Sequence, residues 1–310
     1  MRMTARRLLT QSFPGEQLHY VQSSIMNLKS RLSVVILTHN RAHELLRTVE
    51  RIIALPEAPS VVVVNNGSTD ETANMLKHCF PAVTAVNLKK NLGAAGRNAG
   101  VEQVTTPYVA FCDDDTWWAP GSLHRAAVLL DAFPCIAVLS ARILIGPQQR
   151  EYVACVEMAA SPLPSAGLPG NAVLGFTAGA CVFRRTAFWE AGGYEPRFFM
   201  GGEEALLALD LAARGWVLVY SEDLTAYHYP ALQGDPAKRR RLINRNALWV
   251  AWMRRPTKSA LRETWRTLRS AQYDRALIAT CLDAASGLPW ALRNRKVVPE
   301  RVEALRRLIG

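Results

Sequence analysis

Three consecutive aspartates, Asp113, Asp114 and Asp115, follow the apolar run YVAFC (108–112) in a chain of net charge +11. Like charges this close repel, and each carboxylate loses hydration in a low-dielectric site, so a positive group is expected beside them. Other apolar runs end in polar residues too. Thr38, His39, Asn40 and Arg41 close SVVILT (33–38), and Asn65, Asn66, Gly67, Ser68, Thr69 and Asp70 close the run from Ser60. The stretch NLGAAGRNAG (91–100), carrying Arg97 and Asn98, follows AVTAVNL (82–88). Two further acids, Glu203 and Glu204, open the apolar pattern GGEEALLALDL, where they also suit the positive end of a helix.

The apolar runs alternate with stretches of helical spacing. AHELLRTVERIIAL (42–55), STDETANMLKHCF (68–80) and GAAGRNAGVEQV (93–104) read as helices between strands at 33–38, 60–66, 82–88 and 108–112. Strands buried on both faces and alternating with helices predict a mostly parallel α/β sheet. Ligands bind outside the carboxyl ends of such strands, where the polar residues fall. Further strands are expected at 135–145, 175–185 and 216–221, a helix at 203–215, another around 120–131, and a mobile loop over 159–172.

The ordered set THNR, NNGSTD, NLGAAGRNAG, CDDD, GFTAGACVFRR and GGYEPRFFMGGEEALLALDLAARGW resembles the family 2 glycosyltransferases, over roughly residues 32–230. The resemblance implies the GT-A fold, a Rossmann-like sheet flanked by helices, and inverting transfer of a sugar from a nucleoside diphosphate donor to an acceptor hydroxyl. The triplet then resembles a DXD motif. Asp115 would be the direct ligand of Mg²⁺ or Mn²⁺, Asp113 would serve the donor ribose or the metal, and Asp114 would serve the donor or bond locally. His228, in LTAYHYP just after an expected strand, is the third candidate ligand. Thr38, Asn40, Arg41, Asn66, Arg97 and Asn98 are the expected nucleotide-sugar contacts. Asn65 and Asn66 stand where many relatives carry aspartate, which keeps an acceptor for the imide of uracil or thymine but removes a charge, so the base is open, with UDP or dTDP expected ahead of GDP. Glu203 and Glu204 resemble the ED motif, with Glu204 as base and Glu203 orienting the acceptor. The second acid is Glu in place of Asp, and the extra methylene reaches about 1.5 Å further, so the two roles are open to exchange. Gly179 lies in the segment resembling an acceptor lining, and Trp117 and Trp118 could stack on a sugar or pack internally. The alternatives to a transferase are a sugar nucleotidyltransferase and a catalytically silent nucleotide-binding relative.

With 310 residues, 49% hydrophobic and 20% charged, the chain has ample core and belongs to no disordered or fibrous class. It shows no apolar run of bilayer length, and no secretory signal is expected. Six scattered cysteines without a C-x-x-C pair predict a reduced, cytoplasmic chain with neither disulfides nor a zinc site. Three regions are expected: an extension over 1–31, the GT-A domain over 32–232 and a basic helical region over 233–310. The last reads as a helical face on the catalytic domain, a peripheral contact at the inner membrane surface, or a homodimer contact. The excess of 37 Lys and Arg over 26 Asp and Glu points to an anionic partner. The acidic rim and the lack of a nucleic-acid motif exclude nucleic acid there.

Overall fold

The protein is described by a computed structural model over residues 30–230, 235–271 and 275–309. The β-branched runs build one continuous sheet. Strands β1 (Leu32–Thr38) and β2 (Ser60–Asn65) are almost wholly buried, as central parallel strands covered on both faces must be. Between them, α1 (Ala42–Ile53) buries Leu45, Val49 and Ile52, one face at i, i+4 and i+7. Each such side chain contributes about 1.5–3 kcal/mol by burial, and Leu45→Ala would cost about 2–5 kcal/mol. Helix α2 (Thr72–Cys79), β3 (Thr84–Asn87), α3 (Gly96–Glu102) and β4 (Tyr108–Asp113) continue the alternation. The parallel registers pair Thr38 with Asn65, Asn65 with Asn87 and Leu37 with Asp113, so the polar ends form one rim.

The second half is less regular. It comprises β5 (Thr116–Trp118), α4 (Ser122–Ala132), β6 (Ile136–Ile145), β7 (Arg150–Glu151), α5 (Val153–Ala159), β8 (Asn171–Val173), β9 (Ala180–Arg184), α6 (Arg185–Glu190), α7 (Glu203–Ala213) and β10 (Val217–His228). Among the described residues the sheet order is β3-β2-β1-β4-β9-β6-β10-β5, with β7 on β6 and β8 on β10. Strand β9 runs antiparallel to β4 and β6, so the sheet is mixed beyond its parallel half.

Three expectations change. The segment 159–172 ends in β8, and Ser161 and Ser165 tie it down through bonds to the Ala172 carbonyl and amide. The strand expected over 175–185 starts only at Ala180. The strand expected to end at 221 continues to His228 through an irregularity between Ser221 and Thr225. There Glu222 and Asp223 turn outward, and Asp223 pairs with Arg125, which interrupts the apolar run without ending the strand.

Helices α8 (Pro236–Arg254), α9 (Thr257–Ala271), α10 (Arg275–Arg293) and α11 (Glu300–Ile309) follow. Asp235 caps α8 by accepting from the Ala237 and Lys238 amides, with Pro236 at the first helical position. A second apolar cluster joins Leu206 and Leu209 of α7 to Trp249, Val250 and Met253 of α8, with Ala291, Val298 and Val302. Arg254 seals the contact with two bonds to Asp210, at 2.5 and 3.0 Å. The extension expected over 1–31 lies, up to residue 29, outside the described residues. Among the described residues no helix is long and apolar enough to cross a membrane.

Candidate active site

The positive charge beside the aspartates is supplied first by the chain itself. Arg41, at the start of α1, straddles two of them, with Nη1 2.7 Å from Asp114 Oδ1 and Nη2 2.8 Å from Asp115 Oδ2. The buried Arg97 of α3 pairs with Asp113. The three acids have different surroundings. Asp113, at the end of β4, keeps 44% of its side chain exposed. Asp114 turns inward, accepts from Thr38 Oγ1 at 2.9 Å, and is pushed by burial up to about 7 against the pull of Arg41 and Thr38. Asp115 is also desolvated, but His228 and Arg41 outweigh burial and lower its pKa.

His228 reaches Asp115 because β5 pairs with the far end of β10. Thr116 stands opposite His228, the Tyr229 amide donates to the Asp115 carbonyl at 2.9 Å, and His228 Nε2 lies 3.3 Å from Asp115 Oδ1. Asp115 and His228 thus make a carboxylate–imidazole pair suited in donor chemistry to Mn²⁺ or Mg²⁺, whose other positions water or phosphate oxygens can fill. The expected triad is not assembled: Asp113 is turned to Arg97, and no group of three His, Cys, Asp or Glu suited to a metal occurs among the described residues.

The expected nucleotide contacts gather on the same rim, several of them already engaged. Asn66 is buried and donates to Asn91 Oδ1 and the Gly93 carbonyl, while its Oδ1 accepts from the Leu92 amide. It therefore shapes the glycine-rich stretch. Asn98 exchanges two bonds with the backbone of Tyr194. Asn40 (φ 54°) is exposed and accepts from the Thr69 amide. Asp70 caps two helices at once, accepting from the Ala42 and Thr72 amides. His39 donates from Nδ1 to the Asn66 carbonyl at 3.0 Å. Trp118 is core, 1% exposed, and offers no face to an acceptor. Trp117 stacks on Tyr229 with ring centroids 4.9 Å apart, and the Arg51 guanidinium lies 3.8 Å over its ring.

Glu203 and Glu204 form the first turn of α7. Glu204 Oε1 accepts from the Ala178 amide at 2.7 Å. Burial, and then the neighbouring Glu203 charge, push Glu204 up to about 7, against the Ala178 hydrogen bond and Arg97. Glu203 is also raised, chiefly by burial, and its Oε2 has no hydrogen-bond partner. Gly179, next to Ala178, is packed against Asp113: a Cβ there would fall 2.5 Å from Asp113 Oδ2. One backbone segment therefore touches the triplet on one side and the α7 acids on the other. Sequence reading missed Asn246 of α8. Fully buried, it donates to the carbonyls of Phe198, Met200 and Gly201 just before Glu203.

The chain is similar to N-acetylglucosaminyl-diphospho-decaprenol L-rhamnosyltransferase of Mycobacterium tuberculosis, with 27% identity over 241 residues covering 64% of this chain and 76% of the relative. It is also similar to the uncharacterized glycosyltransferase YwdF of Bacillus subtilis, 33% identical over 103 residues, which are 31% of this chain and 37% of YwdF. Among solved structures, the mannosyltransferase PcManGT of Pyrobaculum calidifontis, in complex with GDP-Man and Mn²⁺, superposes with a TM-score of 0.56 at 17% identity, covering 94% of this chain and 92% of that one. GalNAc-T7 with UDP, GalNAc and Mn²⁺ gives the same TM-score of 0.56 at 16% identity over 72% of this chain, which spans about half, 48%, of GalNAc-T7. These structural likenesses are of fold, and the fold is GT-A. The sequence model described as Glycosyl transferase family 2 matches residues 33–192, from β1 through α6 and across the rim and the triplet. Over half its length and in its fold, the chain is a glycosyltransferase belonging to glycosyl transferase family 2.

Proposed function

We propose that the chain catalyses metal-assisted, inverting transfer of a sugar from a nucleoside diphosphate donor to an acceptor hydroxyl, with Glu204 as the base. The observation that carries this reading is the Ala178–Gly179 bridge, which sets Glu204 and Asp113 on either side of one stretch of backbone. Asp113 begins the aspartate triplet, so the bridge sets the metal-binding side, which would meet a leaving diphosphate, next to a carboxylate that would meet an attacking hydroxyl.

Asp115 and His228 would hold the divalent ion. When bound, it supplies Lewis-acid stabilisation of the diphosphate leaving group. The remaining work falls to side chains of the protein. Arg41 fixes Asp115 by binding its second oxygen, and Arg97 fixes Asp113. The Ala178 amide holds one oxygen of Glu204 and leaves the other for the acceptor. As the acceptor oxygen bonds to the anomeric carbon, the carbon–phosphate oxygen bond breaks and the acceptor proton passes to Glu204. A base poised near 7 suits this step, because it is available at neutral pH and still strong enough to take the proton.

The similarity to the mycobacterial L-rhamnosyltransferase supports a deoxyhexosyl donor and a lipid-diphosphate acceptor. The donor expected from the sequence is a uridine or thymidine diphosphate sugar, and Asn65 and Asn66 serve it by shaping the rim, since their amides are spent on Asn87, Asn91 and the neighbouring backbone. A thermal-shift panel of nucleoside diphosphates and their sugars with Mn²⁺ tests the reading, since a ligand bound to the native state raises its melting temperature. UDP or dTDP sugars should give the largest shifts, and their hydrolysis or transfer should stop in EDTA. A flat panel would overturn the donor assignment.

A further inference from the structure

Helix α9 carries apolar residues on the wrong side for a helix packed only against its neighbours. Leu261, Trp265 and Leu268 stand at i, i+4 and i+7 and are 54%, 68% and 47% exposed. Its buried side is supplied by Ala260, while the half-buried Thr264 accepts from Trp252 Nε1 of α8. Helix α10 repeats the arrangement. Ile278, Leu282, Ala285, Pro289 and Leu292 fall at i, i+4, i+7, i+11 and i+14, and all are exposed, Leu282 at 68%. The helices pack together, and an apolar cleft of about 220 Å³ lies between α8, α9 and α10, lined in part by Leu268, Cys281 and Leu288. Beside the α9 stripe runs a basic one. Lys258, Arg262, Arg266 and Arg269 each follow an exposed or boundary position by about one residue, so they flank the apolar face on one side. Glu263, paired with Arg266, is the single acid among these residues.

We propose that the exposed face of α9 and α10 is a docking surface for an anionic lipid membrane, with Trp265 and Leu282 entering the interface and Arg262 and Arg269 meeting lipid phosphates. Apolar residues with an exposed tryptophan on one side and cations on the flank are the pattern of helices lying in the plane of a membrane interface. Charge decides the occupant. A second copy of this chain meeting the face would bring one basic flank against another, and like charges across an interface disfavour the contact. An anionic bilayer offers both hydrocarbon for the stripe and counter-charge for the flank. The inference is independent of whether the acceptor is lipid-linked. Because α8 packs on α7, a docked tail would keep the site beside the membrane.

Co-sedimentation of the full chain with phosphatidylcholine vesicles, with and without phosphatidylglycerol, tests it. The chain should bind the anionic vesicles far better than the neutral ones and lose binding as salt rises. Arg262→Gln with Arg269→Gln should weaken partitioning about 25-fold, from about fivefold for each cation near an anionic surface. Leu261→Ser with Trp265→Ser should also release the protein, and tryptophan emission should no longer shift to the blue on vesicle addition. All four positions are on the surface, so melting temperature and turnover of a soluble acceptor should stay at the wild-type level. The arginine variant leaves the apolar face intact and is informative even if the other misfolds. Equal partitioning onto neutral and anionic vesicles, no binding to either, or release of a sedimenting dimer by the same substitutions would overturn the proposal.

Discussion

Gly179 is packed so closely on Asp113 that a methyl group in its place would sit 2.5 Å from Asp113 Oδ2 and 2.9 Å from Cγ. The atom in the way is the tip of a half-exposed side chain, which can rotate, whereas the buried strand around it cannot. Gly179→Ala should therefore move Asp113 off Arg97 without unfolding the protein. The expected melting shift corresponds to less than the 1–3 kcal/mol typical of overpacked cores. Turnover with a sugar nucleotide should fall at least about tenfold, equal to 1.4 kcal/mol in the barrier. Steady-state kinetics beside a thermal melt check it, and a variant that melts early but turns over normally would refute it.

Glu204 combines a raised pKa with a catalytic assignment, and the two make opposite demands on pH. As a base it acts ionised, so the rate should rise with pH through about 7. Its stability contribution has the other sign. The folded-state pKa lies above the ordinary 4.5, so the native state binds the extra proton between these values, and stability falls as pH rises through about 7. Glu204→Gln removes the charge and should melt higher than wild type above pH 7 while losing about 10²–10⁴ in rate. Asp114, also pushed up to about 7, contributes with the same sign in both proteins, so only their difference reports on Glu204. Glu203→Gln measured alongside separates the two acids. If it loses more rate than Glu204→Gln, the roles are exchanged.

The parallel half of the sheet was legible because its strands are β-branched runs bounded by turn residues, and the rim followed from their ends. What the sequence hid depends on pairing at long range. His228 was reached only through the family resemblance, because its meeting with Asp115 depends on β5, three residues long, pairing with the end of a strand interrupted by two acids. The engagement of Arg41 with the triplet was equally hidden, since an arginine after a strand reads as well for a phosphate as for a carboxylate. Helix α8 gives no amphipathic signal, with Leu248, Trp249, Val250 and Ala251 buried in succession, because it is covered by α7 on one side and by α9 and α10 on others. Asn246 was invisible because its partners are backbone carbonyls some 45–48 residues away.

The carboxylate–imidazole pair leads to a graded metal dependence. His228→Ala should raise the Mn²⁺ concentration needed for half-maximal activity at least about tenfold, the low end seen even for outer-shell losses. Turnover at saturating Mn²⁺ should largely survive. Asp115→Asn removes the anionic ligand and leaves Arg41 and His228 facing a neutral amide, so Mn²⁺ should rescue it poorly. Titrations from an EDTA-treated stock check both. Identical curves for the wild type and His228→Ala would remove the histidine from the metal site.

Asn246 ties the basic tail to the loop that precedes Glu203. Its amide holds three carbonyls of the loop that delivers Glu203, and on the loop's other side the Phe199 carbonyl accepts from the Ala94 amide at 2.7 Å. Phe199 itself is at φ +62°, a conformation costly for a side chain of its size, so the loop holds its shape only while both neighbours grip it. Gly93 makes the grip possible, since a Cβ there would meet the Phe199 oxygen at 1.9 Å. Asn246→Ala takes this donor from the Met200 and Gly201 carbonyls, at about 1–3 kcal/mol for each that water cannot reach, while the Phe198 carbonyl keeps Arg245 and the Met200 amide. Asn246→Asp places an acceptor against acceptors and should destabilise more. Relaxation of the loop carries Glu203 and Glu204 out of register with the acceptor while the donor rim on β1, β2 and α3 stays in place. At temperatures well below melting, kcat should therefore drop at least about tenfold with little change in donor KM, because near-attack geometry is lost while binding is kept. A purely structural asparagine would lower the melting temperature and leave kcat alone, so kinetics at low temperature separate the two outcomes.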